Sequence, residues 1–134
     1  SSTVGLVSPH TAPRKMRALS CDALDVDFGD DELETSVAAR FGLEGVCHRG
    51  DVVSIRNNSH DVVAGEILFL AACRSVPVAF VHVWSLTASS TTTATWAMQA
   101  NAELIELEDI VAVCIHKRYA ESCVTVIPPH VQLG

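Results

Sequence analysis

Aromatic side chains are scarce: two Trp, one Tyr and four Phe account for 5% of the 134 residues. With 49% of the chain apolar, any core must be built from Val, Ala, Leu and Ile, which suit strands and tight packing. No stretch approaches the roughly 18 apolar residues of a membrane-spanning helix. The best run, Ile67 to Cys73, has strand length. The basic cluster Arg14, Lys15 and Arg17 is not followed by the apolar segment of a signal peptide. No membrane partner is expected. The chain opens on Ser1-Ser2-Thr3 rather than Met, which reads as a fragment of something longer.

A basic face is also missing. The formal net charge is −7, and Asp22, Asp25, Asp27, Asp30, Asp31, Glu32 and Glu34 crowd into one short window. The other nine acids balance the nine Lys and Arg. Phosphate contact needs clustered positive charge, so direct nucleic-acid binding is not expected. The five cysteines (Cys21, Cys47, Cys73, Cys114, Cys123) are odd in number and include no C-x-x-C, which argues against a disulfide framework and for a reducing, intracellular setting, the nucleus included. There is no internal repeat of fixed period.

At 134 residues the chain suffices for one ordinary domain, burying roughly two thirds of its unfolded surface. Residues 1–20, rich in Ser, Thr, Pro and basic groups, read as a flexible arm or linker that can lie across the body. Residues 21–44 form an acidic segment. Within it Asp31 and Glu34 have capping-box spacing, Leu33, Val37 and Phe41 recur every four residues, and Gly42 is a stop signal; this pattern predicts a short helix over about 31–41.

From residue 45 to 134 the period becomes that of strands. Expected strands are Val52–Arg56, Val62–Cys73 with Gly65 as a bulge signal, Val76–Leu86, Thr95–Met98, Glu103–Glu106, Ile110–Tyr119 and Cys123–Ile127. Residues 94–107 can also be read as a helix. Asn57–His60 and Arg74-Ser75 are turn clusters, residues 87–93 read as a loop tip, and Pro128-Pro129 ends the last strand. The fold class is mainly β: a small antiparallel barrel or sandwich with one short N-terminal helix.

Motifs of catalysis and metal binding are weak. Cys114-x-His116, with Cys47-His48 and Cys123, offers one close pair where a zinc site needs two, so no metal is expected. Asp25-x-Asp27 lacks the glycine and terminal acid of a calcium loop. Ser59-His60-Asp61 contains the residue types of a catalytic triad, but triads assemble from separated elements, so these read as turn residues. Asp27-Phe28-Gly29 stands without the rest of the kinase motif set. Asn57-Asn58-Ser59 is a glycosylation sequon in form and a polar turn in this context. His82, His116 and Cys114 have no identifiable base or nucleophile partner. No catalytic residue and no cofactor are expected.

Trp84, Trp96 and Tyr119 fall on or beside three different strands. If they converge with Asp109 near one end of a barrel, their ring faces would form a ligand site suited to a methylammonium group. The competing expectation is that they simply pack.

The body resembles the bromo-adjacent-homology and related SH3- or Tudor-like β-barrel modules. The residues that carry this are Gly50-Asp51-Val52-Val53-Ser54-Ile55, Ala64-Gly65-Glu66-Ile67-Leu68-Phe69, Val81-His82-Val83-Trp84 and Leu107-Glu108-Asp109-Ile110, followed by Val111 to Cys114. The resemblance covers about residues 45–129. It implies a non-catalytic, reader-like protein-interaction domain whose partner is a protein or peptide, or another domain of the same chain. The alternative is a structural accessory domain that docks on a catalytic neighbour, for instance in a transposase. Exposed strand edges also offer a way to pair two copies, and the sequence does not choose between that and a monomer.

Overall fold

In the computed structural model, described for residues 4–12, 33–42, 45–73, 76–128 and 133, the chain folds into three antiparallel sheets that do not close into a barrel. The central sheet is built on β7 (Val62–Cys73), which pairs along one side with β8 (Val76–Val83). Its other side is shared by β6 (Val52–Arg56) and β3 (Leu33–Ser36). β11 (Ala102–Glu106) extends the sheet beyond β8, β2 (His10–Thr11) extends it beyond β3, and β12 (Ile110–Val113) extends it beyond β6.

The smaller sheets are β1-β4-β5 (Gly5–Val7, Ala38–Phe41, Gly45–His48) and β13-β14-β10-β9 (His116–Arg118, Ser122–Val126, Thr93–Ala97, Ser85–Ser89). They pack on opposite faces of the central sheet. Val53, Ile55, Ile67 and Val81 join Ala39, Phe41 and Cys47 in one buried cluster, closed by Leu107 and Ile110. On the other side Val52 and Ala64 join Ala94, Trp96 and Cys123. β6 is therefore apolar on both faces because it lies in the middle of a three-layer sandwich. A third cluster, around Leu33, Val78 and Phe80, closes the far end.

The mainly β, antiparallel reading holds. The short helix at 31–41 does not form. Among its described residues the chain makes two strands, with Val37 thrust 67% exposed at the bend between them. A helix would bury Val37 beside Leu33 and Phe41. Instead Leu33 and Thr35 are buried in the period-two pattern against β7, and Thr35 Oγ1 donates to the Leu70 carbonyl at 2.7 Å. After the bend Ala39 and Phe41 face the core. At the bend Ser36 Oγ donates to the Val7 carbonyl and accepts from the Ala38 amide. Tertiary pairing with β1 and β7 outweighs the modest helix preference of Ala38-Ala39-Arg40.

Three further expectations are corrected. The strand expected over 76–86 splits at Trp84, where the chain leaves the central sheet for β9, and β9 takes in residues assigned to the loop tip. Residues 94–107 are not helical beyond the 3-10 turn that starts at Leu107. The strand expected over 110–119 splits at Cys114–Ile115, passing from the central sheet into the β13–β14 sheet. Residues 4–12 of the arm lie along the body as β1 and β2. Most of the acidic window, Asp25-x-Asp27, Asp27-Phe28-Gly29, the Arg74-Ser75 turn and Pro129 lie outside the described residues.

Arg118 fastens one outer sheet to the central one. Its guanidinium donates to the Glu66 carboxylate at 2.7 Å and lies 5.9 Å from the Trp84 ring centroid. The carboxylate holds the Arg118 pKa above its ordinary value. Because Arg118 is 38% exposed, water and salt screen the pair. Arg118→Ala is expected to cost about 1 kcal/mol or less. A double-mutant cycle with Glu66→Gln in urea unfolding would measure the coupling, which should fall further in high salt.

Candidate functional site

Of the residues expected to form a ligand cage, Trp84 and Trp96 meet in one buried cluster, whereas Asp109 lines a separate cleft. Trp96 sits on β10 at 1% exposure, and its Nε1 donates to Thr125 Oγ1 on β14 at 2.9 Å. Trp84 is 4% exposed in the same cluster, with the Arg118 cation already over its ring. Their faces are committed to packing, as Trp on a two-sided strand layer usually is. Tyr119 is 52% exposed just after β13, with Lys117 Nζ 5.6 Å from its ring. Asp109 lies elsewhere, on the 3-10 turn Leu107–Asp109. There it lines a cleft of about 350 Å³ with Arg56, Asn57, Glu103 and Glu106, and none of the three aromatics lines that cleft.

Among the described residues no group of three or more His, Cys, Asp or Glu is placed to hold a metal ion. Ser59, His60 and Asp61 form a turn in which the Ser59 and Asp61 amides both donate to Asn57 Oδ1 at 3.0 Å. Cys47 and Cys123 are buried, and Cys114 is half-buried beside Ser54 Oγ at 3.0 Å. Burial raises all three thiol pKa values, and for Cys47, with Asp51 adding to the effect, the value rises to about 11. Protonated thiols are poor nucleophiles and poor ligands.

Burial of the Cys47 thiol makes stability depend on pH. Its folded-state pKa lies above the ordinary value of 9.0. Below that value both states hold the proton and pH has no effect through this group. Between the two values only the unfolded chain releases it, so stability falls as pH rises, by on the order of 2 kcal/mol at pH 11. Urea unfolding at pH 8 and pH 10.5 should show this loss in wild type. It should be smaller in Cys47→Ala, which keeps the other alkaline titrations.

The feature that sequence reasoning missed is the outer edge of β12. Among the described residues β12 pairs with β6 alone. The Cys114 amide donates to the Val52 carbonyl at 2.8 Å, toward β6. Backbone direction alternates along a strand, so Val113 turns its N–H and C=O to the free side. Apolar troughs flank this edge. One, of about 410 Å³, runs between Phe41, Gly45, Val46, Val111 and Val113, floored where the Phe41 ring lies over Gly45. The other, of about 240 Å³, is lined by Cys114, Ile115, Val126, Ile127 and Pro128. Val46, Val113, Ile115 and Val126 are all large apolar side chains left exposed, Ile115 by 76%. The sequence carries a signal for this. Ile110 to Ile115 is apolar at odd and even positions alike, which calls for cover on both faces.

No family model, curated protein or solved structure matches the chain.

Proposed function

We propose that this chain is a non-catalytic docking domain that engages a protein segment along the free edge of β12. The observation that carries this reading is the pairing of an open, bulged edge strand with an apolar trough on either side. Proteins usually blunt such edges with charge, a bulge or a cover; β12 has a bulge, but no charge lies between Ile110 and Ile115. A strand laid against β12 gains main-chain hydrogen bonds, and its side chains point alternately into the two troughs. The burial of Trp84 and Trp96 weighs against a methylammonium reader. The apolar patch favours docking on protein, whether a separate partner or a neighbouring domain of a longer chain such as a transposase. An odd number of cysteines with no C-x-x-C suits an intracellular setting.

A phage-displayed library of nonapeptides, selected against the domain at low micromolar concentration, tests this. Enriched peptides should be apolar at adjacent positions and should shift the amide resonances of Val46, Val113 and Ile115. Val113→Lys should weaken them about tenfold or more, as loss of a central contact does. No enrichment, or enriched peptides that leave Val113 and Ile115 unshifted, would overturn the reading.

A further inference from the structure

We infer that the segment which occupies the β12 edge is β12 of a second copy of this chain, paired antiparallel across a two-fold axis. This rests on the reading of β12 as the docking edge and adds the identity of the occupant.

The argument comes from what β12 carries at its two ends. Glu108 and Asp109 precede it and His116 and Lys117 follow it, and all four are exposed. Between them every residue is uncharged and apolar. A strand with an acidic start and a basic finish is complementary to its own antiparallel copy and mismatched to its parallel one. Two-fold symmetry about an axis normal to the sheet keeps each residue on its own face, so residues that meet must have the same parity. Centring the axis on Val113 satisfies this. Val113 then meets Val113 of the second copy, Val111 is set near Ile115, and Asp109 near Lys117.

The occupant must also be apolar toward both troughs, and the Ile110–Ile115 run has that property. The chain turns into the other sheet after Cys114 and β12 has a bulge between Ile110 and Ala112. Main-chain pairing is therefore confined to a few residues around Val113, and the end charges meet through their side chains. A contact this short belongs to the weak, reversible class.

Sedimentation equilibrium from about 10 µM to about 1 mM, a range that brackets such contacts, is the test. Wild type should show a reversible monomer–dimer equilibrium, and Val113→Lys should raise the dissociation constant about tenfold or more. Lys117→Asp and Asp109→Lys should each raise it about fivefold, because symmetry breaks two pairs at once. An equimolar mixture of these two variants should associate with an affinity within about twofold of wild type, since each supplies the charge that the other lost. Ile115→Lys, at a still more exposed position, is the second variant should Val113→Lys fail to fold. A monomeric mass throughout, a dimer indifferent to the apolar-edge variants, or a mixture as weak as its components would overturn self-pairing. A monomer that still binds selected peptides at β12 would overturn self-pairing alone; loss of both would overturn the docking edge itself.

Discussion

Trp96→Ala is expected to lower the unfolding free energy by about 3–5 kcal/mol, the range for removing a large aromatic from a packed core. A domain of this size has about 5–15 kcal/mol in total, so the variant should be largely unfolded under mild denaturant. Three features put the cost in the upper range. The side chain is 1% exposed, so almost none of its cavity opens to water. It stands on β10, opposite Cys123 on β14 and Leu86 on β9, where the β9 register slips. Its indole also satisfies Thr125 Oγ1, which is itself buried and would be left without that partner. Trp96→Phe should recover part of the loss while leaving the hydroxyl unpaired. Urea unfolding followed by circular dichroism gives the number. A folded Trp96→Ala with an unchanged midpoint would contradict the placement of this side chain in the core.

Gly65→Ala is expected to cost about 1–3 kcal/mol, although alanine is normally the better residue in ordered structure. Gly65 pairs with Val53 on β6 and Val83 on β8, in the strand at the centre of the molecule. A methyl group there would run into the His82 carbonyl and lie 2.7 Å from Val81 Cγ1. Neither is the free end of a flexible side chain, so β8 would have to move away from β7. Gly5 is the internal control. Nothing lies within 4 Å of a Cβ at that position, and Gly5→Ala should be neutral or slightly stabilising. Equal effects at the two positions would contradict the close approach of β8.

What could be read in the sequence follows from what a strand pattern encodes. Val52–Arg56, Val62–Cys73 and the final strand are legible because β-branched runs between turn residues have few other solutions. The switches between sheets at Trp84 and at Cys114–Ile115 were not, since an apolar run looks the same on either side of such a corner. Residues 33–41 were misread because a strand, a bend and a second strand placed Leu33, Val37 and Phe41 at helical spacing by coincidence. The aromatics could not be assigned from alternation, because a Trp facing a second sheet and a Trp facing solvent occupy the same parity. The edge role of β12 was hidden for a related reason. Its apolar run indicates burial on both faces, whereas among the described residues a neighbouring strand lies on one side only.

The amide exchange rate of Val113, measured against that of Cys114, tests the central claim most directly. In the Lys117→Asp variant, diluted so that it is monomeric, Val113 should exchange quickly while Cys114, bonded to Val52, stays slow. In wild type at high concentration Val113 should become protected as the second strand pairs. A Val113 amide that is already slow in the monomer would show that the edge is covered from within, and one that stays fast at every concentration would show that nothing of this chain docks there.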